Sequence, residues 1–274
     1  MALTVNTNVA SLAAQRSMLT TNSALETSFE RLASGKRINS ASDDAAGMAV
    51  ANSFTSNINA VKAAITNTNN GISAASIAEG ALAEASEILQ RMRELAVQAN
   101  NNFLDTAEFT YLQDEQVALE SALDDVVGAA KFGDTALLST GATFSFQSGI
   151  GSGDTSSFTT TTISASAAGG SDLTAITLDS AANAVIAIGL LDTSIDAVNG
   201  YRAELGAAIS QFESTVRNLA NIEQNMSAAR SRIEDTDYAA ETADLTKNQI
   251  LQQASTSILA QANQQPQSVL ALLQ

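Results

Sequence analysis

Apolar residues recur along this chain at three- and four-residue intervals over long stretches. Ile58, Val61, Ile65, Thr68, Ile72 and Ala75 follow that spacing, and Phe109, Leu112, Gln116, Leu119, Leu123 and Val126 repeat it. The longest run starts at Ile195 and passes through Val198, Arg202, Leu205, Ile209, Phe212, Val216, Leu219, Glu223, Met226, Arg230 and Ile233. A period near 3.6 predicts helices over 45–100, 105–128 and 195–233. At 1.5 Å per residue the last would be a rod of about 57 Å, far longer than the roughly 11-residue helix of an ordinary domain. It needs partner helices along its length, and the first two segments supply them.

Local signals mark the breaks. Gly35 suits a left-handed helix end, and Ser40 or Ser42 followed by Asp43 and Asp44 suits a helix start. Asp105 with Glu108 reads as a capping box after Asn100-Asn101-Asn102, and Asp179 with Ser180 opens the return helix. Gly80 and Gly206 sit within helices, either as points of close helix approach or with no special role. Between Phe132 and Tyr201 there is no Lys or Arg, and residues 139–171 are rich in Ser, Thr and Gly. Phe144, Phe146, Phe158 and Ile163 alternate with polar residues there. That pattern predicts a hairpin with strands at 143–147 and 157–163.

The ends have thinner stripes. Val5, Val9, Leu12, Leu19, Leu25, Phe29 and Leu32 are sparse for residues 3–33, and residues 245–274 are equally thin, with Leu251, Ile258, Leu259, Val269 and Leu270 among their apolar positions. Backbone ordering costs about 1–2 kcal/mol per residue, against about 1.5–3 kcal/mol for each large apolar side chain fully buried. Both ends are therefore expected to be frayed in the monomer and to order against other subunits.

Composition narrows the chemistry. The 274 residues carry 13 Lys+Arg against 29 Asp+Glu, a net charge of -16, and the pI is near 4.2. Without Cys or His there is no disulfide, no thiolate nucleophile, no histidine-ligated metal and no Ser-His-Asp triad. The acidity has the wrong sign for general nucleic-acid binding. Alanine supplies much of the apolar fraction, which suits thin helical bundles better than a sandwich or doubly wound sheet. The opening has no basic segment followed by an apolar run, and the most apolar stretch, Ala181 to Leu191, is short for a membrane span. No signal peptide, membrane insertion, metal, cofactor or enzymatic activity is expected.

The residues also carry a family likeness. Val5-Asn-Thr-Asn-Val-Ala-Ser-Leu-Ala-Ala-Gln-Arg16 and Leu32-Ala-Ser-Gly-Lys-Arg-Ile-Asn-Ser-Ala-Ser-Asp-Asp-Ala-Ala-Gly-Met48 resemble the opening of bacterial flagellins. Ser231-Arg-Ile-Glu-Asp-Thr-Asp-Tyr-Ala-Ala-Glu-Thr-Ala243 and the stretch from Asn248 to Leu270 resemble their close. The likeness covers roughly 1–138 and 180–274. It implies a mainly α fold: an elongated helical rod or coiled-coil bundle with a small β-hairpin, its terminal helices paired in the assembled filament. In that scheme 1–40 and 236–274 form the inner D0 domain. The D1 domain takes 41–138, the hairpin and loop region 139–179, and the helix 180–235. The outer domains of larger flagellins are absent.

The resemblance further implies a secreted, extracellular filament subunit that polymerises with its own kind. Its other partners would be an export chaperone, the flagellar type III export apparatus, the cap and the hook-junction proteins. A hook-filament junction protein, and more distantly a secreted helical adhesin, are the rival readings. By position, Arg91, Leu95 and Glu115 match residues that carry much of the binding in flagellins detected by a vertebrate innate-immune receptor. Arg202, Glu223 and Arg230 stand on the apolar stripe of the long helix. Either their stems pass the seam with wet charges, or they form ion pairs that fix register. Val5, Val9, Leu12, Leu19, Leu251, Ile258, Leu259, Val269 and Leu270 are the expected inter-subunit positions.

Overall fold

The structure, a computed structural model, describes residues 7–165 and 172–271, with side chains as far as 264 in the last helix. Five helices dominate it: α1 (Val9–Ser34), α2 (Ala45–Ala99), α3 (Thr106–Ala129), α4 (Ala181–Glu234) and α5 (Tyr238–Ala271). Between α3 and α4 lie β1 (Lys131–Phe132), β2 (Thr135–Ala136), β3 (Ala142–Gln147), β4 (Thr155–Thr160) and a single 3-10 turn at Leu173–Ala175. The chain forms two units, Met1–Ser56 with Asn225–Gln274, and Asn57–Gln224. The expected domain boundaries at 40/41 and 235/236 fall inside the first.

In the first unit, α1 begins where Asn8 Oδ1 accepts from Ser11 N at 3.0 Å, and it ends at Gly35, whose φ of 71° only glycine adopts without strain. Two hydrogen-bonded backbone segments then meet as a clasp. Thr236 N donates to Gly35 O at 3.0 Å and Arg37 N to Glu234 O at 2.6 Å, around a bridge between Lys36 and Asp235. The acids at 43 and 44 divide their work. Asp43 Oδ2 accepts from Ser40 N at 2.9 Å and Asn39 N at 3.1 Å. Those bonds, Ser40's first, hold its carboxyl below the usual range. Asp44 alone caps α2, accepting from Gly47 N at 2.9 Å.

The expectation of frayed ends is corrected by this unit: α1 and α5 are helical and paired with each other within one chain. Small side chains (Ser11, Ala14, Thr21, Ser28, Ser255 and Ala262) fill the seam. They let the helices approach closely enough to pair without a thick apolar core.

In the second unit α2 and α4 run antiparallel, as Lys62 opposite Glu223, Glu79 opposite Arg202 and Arg93 opposite Asp192 show. Leu82, Leu89, Met92, Leu95, Leu191, Val198, Leu205 and Phe212 close a core between them and α3. The box at the start of α3 forms in both directions, Glu108 N to Asp105 Oδ1 at 2.8 Å and Asp105 N to Glu108 Oε2 at 2.9 Å. At the start of α4 Ser180 Oγ accepts from Asn183 N.

Strands β3 and β4 pair antiparallel with Phe144 opposite Phe158. Phe158 lies 6.3 Å from Phe212 of α4 and 5.4 Å from Phe144, centroid to centroid. The close helix approach falls at Gly71, where a Cβ would stand 3.0 Å from Phe146 and 3.2 Å from Phe212, whereas Gly80 and Gly206 face open space. The second strand ends earlier than the alternation implied. Past Thr160 the chain leaves the sheet, Thr162 Oγ1 accepts from Gly141 N, and Ile163 N donates to Leu138 O instead. The short β1–β2 pair around Gly133 had no signal in the hydropathy pattern.

By length and composition alone α4 is long and apolar enough to cross a membrane, with an 18-residue window of mean hydropathy 1.5. Alanines and scattered aliphatics with few charges produce that value without an unbroken apolar run. In the structure Ala184, Ala187, Leu191 and Val198 of this helix face the core.

Candidate assembly surfaces

The pairing of α1 with α5 is inverted relative to an ordinary amphipathic hairpin. Its buried seam is small and largely polar, while its large apolar side chains point out. Leu12 is 56 % exposed, Leu19 69 % and Ile258 57 %, and Val9, Phe29, Ile250 and Leu251 are exposed as well. Leu259 is half-buried. Among the described residues of the α1 stripe only Leu25 turns fully inward. Val9, Leu12, Ala13 and Arg16 line one shallow groove, and Leu25, Phe29 and Gln252 another. Val5 lies outside the described residues, as do the side chains of Val269 and Leu270. Contiguous exposed apolar surface of this kind marks a contact site.

Polar contacts are strung along the seam. Asn8 Nδ2 donates to Ala262 O at 2.7 Å, Ser11 Oγ to Asn263 Oδ1 at 2.8 Å and Gln252 Nε2 to Asn22 Oδ1 at 2.9 Å. Nearer the clasp Arg31 stands 3.7 Å from Glu241. From Asn8 to Arg31 along α1 the partners run back from 262–263 to 241 along α5, as an antiparallel pair requires.

In the second unit Arg91 binds Glu115 through two nitrogens, at 2.7 and 3.1 Å, and Glu94 at 3.0 Å. The Glu115 carboxylate first, then Glu94, raises the guanidinium above its ordinary range. Leu95 is 1 % exposed and belongs to the core. Of the three matched positions, only Arg91 and Glu115 stand at the surface.

The three polar stripe positions of α4 all find partners. Arg202 reaches Glu79 at 2.9 Å and Glu223 lies 3.6 Å from Lys62. Arg230 contacts Thr55 at 3.3 Å and Glu234 at 4.0 Å. These pairs are partly exposed, so each is worth less than about 1 kcal/mol. Among the described residues no group of three or more carboxylates is placed to hold a metal ion. The sequence reading missed both the clasp and the small-residue seam.

Residues 5–143 match the bacterial flagellin N-terminal helical region, and residues 188–273 match the C-terminal helical region. The chain belongs to the flagellin family. A flagellar filament 33 kDa core protein from Treponema phagedenis is 38 % identical over 283 residues, covering 98 % of this chain and 99 % of that protein. Polar flagellin F of Vibrio parahaemolyticus is 35 % identical and is covered end to end, as is this chain. That alignment runs to 377 residues against 274 here, so the Vibrio flagellin carries inserted sequence. The crystal structure of Bacillus cereus flagellin superposes with a TM-score of 0.50 at 29 % identity, covering 60 % of this chain and 94 % of that one. The outward stripes of α1 and α5 lie within the two matched flagellin regions.

Proposed function

We infer that this chain is a structural subunit of the bacterial flagellar filament and polymerises into the helical tube that transmits motor torque for motility. The observation that carries the reading is the inverted hairpin. A protein that turns Leu12, Leu19 and Ile258 outward while burying Ser11, Thr21 and Ser255 keeps its hydrophobic contact area for neighbouring copies. Open-ended growth requires that these contacts join unlike surfaces and do not close. Val9, Leu12, Leu19, Leu251, Ile258 and Leu259 are the proposed inter-subunit residues, with Val5 and the 269–270 pair continuing the stripe by sequence. The hairpin beyond the clasp corresponds to the proposed inner layer, 1–40 and 236–274, and the remainder to the outer one.

The finer partners follow from this role. Export unfolded through the flagellar type III apparatus suits a chain with no cysteine and one proline, because neither disulfides nor repeated proline isomerisation delay its refolding. An export chaperone, a cap at the growing tip and a hook-junction protein complete the set. Arg91 and Glu115 form a charged surface pair suited to receptor contact, and Arg202, Glu223 and Arg230 are proposed register positions. Electron microscopy of purified protein seeded with filament fragments tests the main reading. Unlimited elongation is expected, with loss of elongation but retention of a folded second unit on removing 245–274. A short ring or layer that fails to elongate would assign the chain to the junction proteins instead.

A further inference from the structure

Proline occurs once in this chain, at position 266, inside α5. Proline has no N–H, so within an α-helix the carbonyl four residues earlier loses its ladder partner. That carbonyl belongs to Ala262, and it is the one that α1 uses: Asn8 Nδ2 donates to it at 2.7 Å. The other end of the same amide, Asn8 Oδ1, accepts from Ser11 N and starts α1. Ser11, buried in the seam, then donates to Asn263. The first turn of α1 is thus tied to the carbonyl in α5 that Pro266 leaves without a ladder partner.

The other features that discriminate register, Leu25, the Asn22–Gln252 and Arg31–Glu241 contacts and the clasp, lie nearer the opposite end of the hairpin. Around Asn8 the buried seam residues Ser11, Ala14, Ser255 and Ala262 are small, so there a slide of one turn exchanges like for like. A single polar contact is enough to choose among registers in such pairs. We propose that Pro266 and Asn8 act as a positioning pair that fixes the register of α1 against α5, by freeing the Ala262 carbonyl at one place and supplying its donor from the other helix. A slip of one turn would move Ile250, Leu251 and Ile258 about 5.4 Å along Val9, Leu12 and Leu19 and break up the outward apolar face. The proposal rests on reading that face as the assembly surface, but its test does not require a filament.

Because the chain has no cysteine, introduced pairs report alone. Asn22→Cys with Gln252→Cys marks the observed register, while Asn22→Cys with Asn248→Cys or with Thr256→Cys marks slips of one turn. Disulfide formation under mild oxidant is measured on full-length monomer at low ionic strength. In the parent the first pair should close at least about tenfold faster than either slipped pair. Pro266→Ala returns an N–H that competes for Ala262 O, and Asn8→Asp keeps the capping acceptor but removes the donor. Each should cut the preference about five- to tenfold, the factor for one net hydrogen bond, with helicity by circular dichroism preserved. A purely structural role predicts the opposite sign for Pro266→Ala, since removing a helix breaker firms α5. An unchanged or increased preference in Pro266→Ala, or an unchanged one in Asn8→Asp, overturns the proposal.

Discussion

Leu19→Ser separates the stability of the monomer from its capacity to assemble. Leu19 is 69 % exposed in the paired hairpin, so about two-thirds of its side chain is still available to be covered. Full burial of a leucine is worth about 1.5–3 kcal/mol, which leaves about 1–2 kcal/mol for contact with a neighbouring subunit. At 1.4 kcal/mol per factor of ten, losing it should raise the critical concentration for polymerisation about 5- to 30-fold. The monomer should lose only a few tenths of a kcal/mol of helix propensity. Sedimentation of seeded polymer across a concentration series measures the first quantity, and thermal denaturation of monomer by circular dichroism the second. Leu25→Ser is the control, because Leu25 is turned into the seam and its loss should weaken the hairpin itself. A critical concentration for Leu19→Ser within twofold of the parent would refute the claim that the outward stripe drives assembly.

Three other expectations concern the second unit. Phe212→Ala removes a fully buried ring that joins α4 to Phe146 and Phe158. It should cost about 3–5 kcal/mol and free the two-stranded hairpin, which has no independent stability; chemical denaturation reads the loss, and less than about 1 kcal/mol would contradict the aromatic core. Asp105→Ala removes the side-chain acceptor of the capping box, to which Glu108 N donates, and should cost about 1 kcal/mol in the same assay. Glu120 is held above its ordinary range, first by burial and then by Asp124 and Asp172, despite an opposing bond from Gln116. A carboxyl raised on folding destabilises the fold when ionised, and the penalty disappears as pH falls through the folded pKa to the unfolded one. Glu120→Gln should therefore be more stable than the parent at pH 7, with the difference closing as pH falls through the raised pKa towards the ordinary carboxylate range. A constant difference across that titration would exclude the mechanism.

How much the sequence disclosed depended on the kind of signal. The long stripes of α2 and α4, the Asp105–Glu108 box and the alternating phenylalanines of the hairpin were legible because each is a local pattern with one structural outcome. The end of β4 was not. Ile163 is apolar and buried wherever it goes, and the choice between sheet and loop lay with Leu138 O, far away in sequence. At the termini the apolar stripe was visible but its direction was not. Ser, Thr and Ala score as indifferent on any hydropathy scale, so Ser11, Thr21 and Ser255 gave no hint that they would form the seam. Leu12 and Leu25 belonged to one sequence stripe and went to opposite faces. The clasp at 35–37 and 233–236 is made largely of backbone hydrogen bonds and has almost no side-chain signature.

The division of charge completes the account of how such a chain stays unassembled and then assembles. Met1–Ser56 with Asn225–Gln274 carries seven basic and nine acidic residues, while Asn57–Gln224 carries six and twenty. The first unit is therefore near neutral and presents the apolar stripes, so its faces meet little repulsion as they close. The second has a net charge of -14 and its large aliphatic core is already satisfied internally. Association is driven by one unit and opposed by the other. The opposing force is long-ranged and screened, with a Debye length of about 10 Å at 0.1 M salt and about 30 Å at 0.01 M, whereas the driving force is short-ranged and insensitive to modest salt. Raising ionic strength over that interval should lower the critical concentration without changing monomer helicity. Neutralising substitutions among the exposed acids of α3, such as Asp114→Asn and Asp125→Asn, should flatten that dependence. A salt response left intact by those substitutions, or absent in the parent, would place the barrier to assembly in the hairpin instead of in the acidic unit.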